Sequence, residues 1–254
     1  MKFDDFDKQM RGFEESLNER VADLDWIVLR LDGRGFTKLT KEVLDFTRPF
    51  DLRFHTAMQK TCEHLMAGVT KFRLCYTQSD EISLLLKQDD IPFNGKTRKL
   101  NSVFAGEASG IFSVEVGLAT AFDCRVIPLG DQQNVIDYFR WRAEDARRNG
   151  LTAFCYWGLR NTGLSPSVAD ARMKGLSKEG KLNLLSDLGI DFASQPEWMR
   201  LGAFLQWTEE AHLGVDPRDG SSVATTRSRF GWCNPTPEGS AISEFVCKIC
   251  ELEN

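Results

Sequence analysis

The chain has few of the residues from which many metal and acid–base sites are built. Only three of its 254 residues are histidines, His55, His64 and His212, which leaves little room for a histidine-rich metal centre. The longest apolar stretches, such as residues 82–86, have the length of a strand and are far too short to span a bilayer. Any catalysis must therefore depend on carboxylates, hydroxyls, arginines or thiols.

Secretory features are also missing. The first residues show no basic start followed by an apolar segment, so no secretory signal is expected. The seven cysteines form an odd count, and four of them, Cys62, Cys75, Cys124 and Cys155, lie in apolar segments. This usage is typical of reduced thiols in the core of a cytosolic protein. We therefore expect a soluble cytoplasmic protein with no membrane partner.

Basic charge is in slight deficit, since 32 Lys and Arg stand against 37 Asp and Glu, a formal net charge of −5. An acidic balance argues against a protein that coats nucleic acid with its whole surface, but it leaves local basic patches open. Hydrophobic residues make up 42% of the chain, as in ordinary globular proteins. At this length we expect one large domain, or one domain with a substantial appendage.

The order of the apolar and alternating segments predicts an α+β fold. Strands are predicted at 26–31, 72–76, 81–86 and 120–127, with helices at 49–68 and 96–116 between them. This is the order of a ferredoxin-like βαββαβ unit. Beyond it, the spacing predicts a long helix at 134–157, two short helices within 165–189, a strand at 201–207 and a loop at 214–222.

Carboxylates follow the first predicted strand and open the third, which are neighbours in such a unit. We therefore expect Asp32 to lie beside Asp80 and Glu81, where the three charges repel one another unless cations neutralise them. Two Mg²⁺ ions would suit oxygen ligands of this kind. Gly33 and Gly35 would let backbone amides approach a triphosphate. Either motif alone is also common in ordinary turns, so this alternative remains open.

Residues 30–36 (Arg-Leu-Asp-Gly-Arg-Gly-Phe) and 78–81 (Gln-Ser-Asp-Glu) resemble the paired signature of the tRNA(His) guanylyltransferase-like family. Further stretches that resemble the family are 122–126, 137–142 and 163–166, and the likeness covers about residues 1–210. The resemblance implies a polymerase-type palm domain, which we place at residues 1–160. A helical and strand extension would occupy residues 161–254, packed on the palm or continuous with it.

The same resemblance implies an activity and its partners. Family members add nucleotides to the 5′ end of tRNA in the 3′→5′ direction. They use two Mg²⁺ ions and ATP or GTP to activate a 5′-monophosphate. They assemble as homotetramers, built as dimers of dimers. For this chain we therefore expect tRNA and nucleoside triphosphates as partners.

The resemblance also assigns roles to individual residues. Asp32 and Asp80 would bind both metals with the Gly33 carbonyl, and Glu81 would contribute to catalysis. The nucleotide would contact the backbone amides of Arg34, Gly35 and Phe36, together with Arg48 and Ser79. The family's basic cluster that grips a triphosphate falls on Lys96, Arg98 and Lys99, and Asn149 is a further nucleotide-binding candidate.

One stretch departs from the family pattern. Members that add guanylate to tRNA(His) carry a His-Ile-Asn-Asn-Leu-Tyr-Asn block, whereas residues 147–153 read Arg-Arg-Asn-Gly-Leu-Thr-Ala here. Only Asn149 and Leu151 survive. The pattern resembles the branch that repairs truncated tRNA 5′ ends on a template. Arg147 could grip phosphate through its planar fork, but it cannot act as an acid–base group near neutral pH.

Several alternatives stay open. Guanylate addition to tRNA(His), a palm-type nucleotide cyclase and a nucleotide-sensing module without turnover would all suit the carboxylate motifs. Basic residues that could contact tRNA, or form ion pairs on helix surfaces, are Arg140, Arg142, Arg147, Arg148, Lys174, Lys178 and Lys181. Cys233, Cys247 and Cys250 hint at zinc, but no fourth ligand has a convincing spacing, so a reduced C-terminal segment is the simpler interpretation.

Overall fold

The computed structural model of the chain describes residues 3–21, 26–215, 218 and 221–251. Within these ranges the strands are β1 (Trp26–Gly33), β2 (Leu74–Gln78), β3 (Glu81–Lys87), β4 (Phe122–Pro128), β5 (Ala203–Val215) and β6 (Ser222–Trp232). The helices are α1 (Phe3–Glu15), α2 (Phe36–Lys38), α3 (Leu52–Ala67), α4 (Thr97–Val116), α5 (Gln132–Asn161), α6 (Pro166–Met173), α7 (Lys178–Asp187), α8 (Glu197–Arg200) and α9 (Ala241–Glu251).

The strands form one antiparallel sheet in the order β4-β1-β3-β2-β5-β6. Its first four strands, with α3 and α4 as the crossings, have the βαββαβ order that the sequence predicts. The α+β prediction is therefore confirmed. Within the described ranges, no helix combines the length and the apolarity needed to cross a membrane.

The central strands are buried on both faces, which explains their nearly continuous apolar runs. On one face, alternate residues of β3 such as Ile82 and Leu84 pack in a core with α3 and α4. On the other face, Leu85 packs in a second core with α5 and α9. The sheet is thus held between two helical layers. The end of β1 and the start of β3 remain accessible only at the edge of this sandwich.

The second half of the chain extends the same sheet. Strand β5 pairs with β2 through partners such as Tyr76 and Phe204, and α9 packs against α5 in the second core. Strand β6 was not predicted, and β5 runs past the predicted end at residue 207, because their paired outer parts carry mostly exposed polar residues. Residues 214, 215 and 222 belong to strands rather than to the predicted loop. The domain division at residue 160 stays a prediction.

Gly202, just before β5, is a position where only glycine fits. Its φ is +74°, and a Cβ there would lie 2.4 Å from the hydroxyl of Tyr76 and 2.7 Å from the carbonyl oxygen of Thr77. The same hydroxyl donates a hydrogen bond to the carbonyl of Leu201 at 2.7 Å. The close approach therefore fixes where the second half of the chain joins the sheet.

We expect Gly202→Ala to lower the free energy of unfolding by about 3 kcal/mol, through overpacking and backbone strain together. Gly117→Ala is the matched control, since Gly117 has a φ of +70° but open space around its Cβ position. Its loss should be about 1 kcal/mol, from backbone strain alone. Urea unfolding of both variants measures the difference, and equal losses would contradict the role given to Gly202.

Candidate active site

The strand register brings the predicted carboxylates to one end of the sheet. Asp32 is the partner of Glu81 in the β1–β3 ladder, and Ser79 and Asp80 form the two-residue turn between β2 and β3. The backbone amide of Gly33 donates to the carbonyl oxygen of Asp80 at 3.0 Å, which ties the turn to the end of β1. The structure therefore places Asp32, Asp80 and Glu81 together, as the order of strands requires.

Two of these carboxylates lie where ionisation is costly. Burial raises the pKa of Asp80 to about 6, and the charges of Asp32 and Glu81 add to the shift. Burial also raises the pKa of Asp32, with Glu81 as the next cause and Arg30 acting in the opposite direction. The pair therefore forms a site at which a bound cation would relieve both burial and mutual repulsion.

Glu81 differs from the two aspartates because its charge is already paired. Its carboxylate accepts hydrogen bonds from the guanidinium groups of Arg30 and Arg142, and from the amide of Gln78 at 3.1 Å. The side chain of Arg142 is only 3% exposed, and a second carboxylate, Asp145, lies 3.4 Å from it. Glu81 thus links the β2–β3 turn to helix α5.

Asp123 is a carboxylate of this site to which the sequence motifs assigned no role. It is the partner of Asp32 in the β1–β4 ladder, and its charge contributes to the raised pKa of Asp32. Its side chain is 60% exposed and lies 3.8 Å from Arg125. The alternation of β4 would have indicated it, since Phe122 and Cys124 face the first core and Asp123 faces the opposite side.

The loop after β1 has the shape expected for a close approach by a ligand. A Cβ on Gly33 would lie 2.5 Å from the ring of Phe36 and 2.9 Å from Asp80 Cβ, so no side chain fits there. Gly35 is exposed with a φ of +74°. The amide of Arg34 donates to the carbonyl of Ala121 at 2.8 Å, which leaves the amides of Gly35 and Phe36 for the predicted triphosphate cradle.

A cavity of about 210 Å³ adjoins Asp80. Ser79, Asp80, Phe36 and Arg48 line it, and so does the stacked pair His55 and Trp198, whose rings lie 4.2 Å apart. Burial lowers the pKa of His55 to about 4, so this imidazole is neutral near pH 7. The Arg48 guanidinium donates to the carbonyl of Thr40 and lies 5.4 Å from the centre of the Trp157 ring.

The remaining predicted nucleotide contacts are not brought to this cavity. Lys96 and Lys99 lie at the start of α4, which follows the far end of β3, about 20 Å away along that strand. Arg98 lies with them and donates to the side chain of Asn18 at 2.5 Å. Asn149 is exposed on α5, where its amide donates to Asp145 at 3.1 Å. Within one chain these residues do not share a site with Asp80.

The donors present fit magnesium better than zinc. In the described part of the chain, no three His, Cys, Asp or Glu side chains form a group that could hold a metal ion, and the cysteines are free thiols. Magnesium usually takes one or two protein carboxylates and fills its remaining positions with water and substrate phosphate. Asp32 and Asp80 supply the two carboxylates that magnesium needs, and Gly33, which follows Asp32, supplies a carbonyl oxygen beside them.

Comparison with known proteins adds independent findings. A family model described as Thg1, tRNAHis guanylyltransferase, matches residues 7–130, and a model described as the Thg1 C terminal domain matches residues 133–230. A probable tRNA(His) guanylyltransferase of Mus musculus is 29% identical over 90% of this chain and 83% of its own length. The Drosophila melanogaster relative of the same description is 30% identical over 77% and 71%.

Solved structures agree in fold. A bacterial tRNA(His) guanylyltransferase-like protein in complex with ATP has a TM-score of 0.75 and 24% identity, covering 97% of this chain and 100% of its own. The tRNA(His) guanylyltransferase of Saccharomyces cerevisiae has a TM-score of 0.69 and 24% identity, covering 76% and 91%. The two family models together span most of the sequence. The first includes Asp32, Asp80 and Glu81, and the second includes Arg142. The chain therefore belongs to the tRNA(His) guanylyltransferase (Thg1) family of nucleotidyltransferases.

Proposed function

We propose that this protein is a magnesium-dependent nucleotidyltransferase that adds nucleotides in the 3′→5′ direction to the 5′ end of tRNA. The 5′-phosphate would first attack the α-phosphorus of ATP or GTP, which releases pyrophosphate and leaves AMP or GMP linked to the 5′ end. The 3′-hydroxyl of an incoming nucleotide would then attack the activated 5′-phosphorus and displace that nucleoside monophosphate. The observation that carries the proposal is the pair Asp32 and Asp80, which form no ion pair with a described residue, at the sheet end beside a cavity and a glycine loop. Family membership favours this activity over a cyclase or a nucleotide-sensing module.

The residues of the site divide the work. Asp32, Asp80 and the Gly33 carbonyl would hold magnesium, which when bound supplies activation of the attacking oxygen and neutralisation of the leaving pyrophosphate. The amides of Gly35 and Phe36 would orient phosphate oxygens. The two aspartates are already positioned by the strand register, so positioning and electrostatics account for most of the catalysis.

The cavity beside Asp80 would hold part of the activating nucleotide. At about 210 Å³ it is smaller than the roughly 300 Å³ at which pockets enclose a whole drug-sized ligand. We therefore place the base and ribose inside it, with the triphosphate extending past Ser79 and Asp80 toward the glycine loop. Structural relatives in complex with ATP and with GTP support a purine nucleotide at this site.

Template-dependent repair is the branch we favour. The block at residues 147–153 lacks the histidine and most other residues found in members that add guanylate to tRNA(His). Arg147 can bind phosphate but cannot transfer protons near neutral pH. The proposed substrate is therefore a tRNA with a truncated 5′ end, paired to its own 3′ strand as the template.

We also propose that the protein acts in the cytoplasm as a homotetramer. Helix α1 supports self-association, because none of its residues is buried and its apolar side chains Phe3, Phe6, Met10 and Phe13 are all exposed. Such a patch on a soluble monomer usually marks a contact surface. A second copy could also supply Lys96 and Lys99 to a triphosphate. Within one chain these lysines lie at the opposite end of the sheet from Asp80 and do not reach it.

Asp32→Ala and Asp80→Ala should each abolish incorporation of labelled nucleotide into a 5′-truncated tRNA with Mg²⁺ and ATP, because each removes a carboxylate proposed to bind the metal. The loss should reach at least about a thousandfold. Glu107→Ala, at an exposed position on α4, is the matched control and should leave the rate unchanged. Circular dichroism verifies that each variant keeps the fold.

Four outcomes would overturn parts of this proposal. Near-wild-type incorporation by both aspartate variants would remove the mechanism. Cyclic product from nucleotide alone would favour the cyclase, and bound but unincorporated nucleotide would favour the binding module. Extension of full-length tRNA(His) in preference to the truncated tRNA would favour guanylate addition over repair.

The raised pKa of Asp80 predicts a pH-dependent stability. Without a cation, the stabilisation from protonated Asp80 is complete below pH 4 and is lost as pH rises through about 6, since its pKa in the folded protein lies above the usual value of 3.8. At pH 8 in EDTA, Asp80→Asn should therefore raise the free energy of unfolding by at most about 3 kcal/mol, which appears as a higher melting temperature. At pH 4 the two proteins should melt together.

Magnesium should reverse this penalty. At pH 8 it should stabilise the wild-type protein and leave Asp80→Asn nearly unaffected, as differential scanning calorimetry can measure. A wild-type melting temperature that is independent of Mg²⁺ at pH 8 would argue against a metal at this pair.

Glu81 should act as a positioning residue, because its carboxylate is held by Arg30 and Arg142. We expect Glu81→Gln and Arg142→Gln each to lower kcat, and the double variant to be no slower than the worse single variant, since both remove one contact. The Mg²⁺ concentration at half-maximal rate should not change in Glu81→Gln. Arg142→Lys should restore part of the rate.

Incorporation assays and urea unfolding together decide whether Glu81 positions the site or binds the metal. Losses that multiply in the double variant, or a large rise in the Mg²⁺ requirement of Glu81→Gln, would instead make Glu81 a metal ligand. Breaking a buried ion pair costs about 3–5 kcal/mol, so the assays must be run well below the melting temperature of each variant.

A further inference from the structure

A second cavity, of about 570 Å³, lies where α5 and α7 meet the segment that leads into α9. It shares no lining residue with the cavity beside Asp80. Its volume falls within the range of about 300–1,000 Å³ that is typical of ligand sites. Four cationic side chains line it: Arg147, Arg148, Lys178 and Lys181.

The charges of this cavity are not balanced from within. The carboxylates that line it are Glu144 and Glu238, so four cations face two anions, an excess of two positive charges. Among the described residues, Arg148 pairs with Asp145 at 2.5 Å and Lys181 donates to the hydroxyl of Thr152 at 2.9 Å.

The side chains of Arg147 and Lys178 make no hydrogen bond or ion pair with another residue of the described ranges, and the opposite charge of Glu179 is the one that acts on Lys178 from its own helix. Both are exposed at the cavity. A pair of uncommitted cations on the rim of a concave surface is suited to an anion, and an arginine fork suits the oxygens of a phosphate.

The other wall of the cavity is apolar. Leu151, Phe192, Leu201 and Ile242 line it, each less than a tenth exposed. A free phosphate ion would gain nothing from such a wall, whereas the planar base of a nucleotide would bury apolar surface against it. The combination of an apolar wall and a cationic rim therefore favours a ligand that carries both a ring and a phosphate.

We propose that this cavity binds a phosphate-bearing nucleotide unit, with the base against the apolar wall and the phosphate at Arg147 and Lys178. The unit could be a free nucleoside triphosphate or the phosphorylated end of an RNA. Only the RNA source rests on the proposed function of the carboxylate site. Binding of a nucleotide to the cavity can be measured without turnover.

The test compares two double variants in a background of Asp80→Ala with EDTA, which removes metal-dependent binding at the other site. Arg147→Gln with Lys178→Gln removes the uncommitted cations of the cavity. Lys71→Gln with Lys248→Gln is the control, since both residues are exposed, lie outside the cavity and change the net charge equally. Calorimetry measures binding of ATP, of GTP, and of one short RNA with either a 5′-phosphate or a 5′-hydroxyl.

We expect the cavity variant to weaken binding of at least one phosphorylated probe by about tenfold or more, and the control by less than about twofold. A loss with ATP or GTP identifies a free nucleotide as the ligand. A loss confined to the 5′-phosphorylated RNA identifies the RNA end. Equal binding by the two double variants with every probe overturns the proposal.

A second variant keeps the test decisive if the first one destabilises the protein. Leu182→Trp fills the cavity from its rim, where Leu182 is 38% exposed, and removes no cation. It should weaken the same probe to a similar extent, and unchanged binding would overturn the proposal. Binding is measured in the Asp80→Ala background, without turnover. A failure of the wild-type protein to incorporate nucleotide would therefore not change the interpretation of this binding test.

Discussion

The site depends on one constraint, the antiparallel register of β1 against β3, which forces Asp32 beside Glu81 and the turn that carries Asp80. Three like charges at one sheet end would oppose folding. The protein compensates only one of them, by placing two guanidinium groups on Glu81. The two aspartates keep raised pKa values and no basic partner of comparable closeness. The remaining electrostatic cost is therefore located where a bound cation would remove it, and the proposed metal would link stability to ligand binding through this one pair of side chains.

Helix α5 connects this site to the second cavity. Arg142 contacts Glu81, and Arg147 lines the cavity five residues later, which corresponds to about 7.5 Å along the helix and a rotation of about 140°. The same helix thus carries one arginine at the carboxylate site and another at the second cavity. Gly150 allows this helix to lie close to the segment before β5, since a Cβ there would be 2.6 Å from the Met199 carbonyl oxygen. A nucleotide held at the cavity would therefore be fixed in distance from the carboxylates.

Much of the fold could be predicted because the central strands are buried on both faces, and their apolar runs stand out from the polar turns between them. The carboxylate site followed from strand order alone. The pairing of Glu81 with Arg142 could not be predicted, since it depends on how α5 lies across the sheet. Strand β6 was missed because an exposed hairpin has no core-facing alternation to reveal it. The positions of Lys96 and Lys99 show a different limit: a motif identifies residue types, but the direction of α4 decides which end of the sheet they reach.

The acidity of the chain bears on how it could hold RNA, rather than on whether it does. Several exposed cations are already near carboxylates, as Arg140 is to Asp137 at 3.7 Å and Arg229 to Glu210 at 3.6 Å. Such pairs offer little net field to a phosphate backbone. Affinity must then come from cations that lack a partner, and two of these, Arg147 and Lys178, lie at a concave surface with an apolar wall. A site of that kind would recognise one nucleotide unit by shape and charge together, which suits the proposed action on an RNA end better than the coating of a duplex.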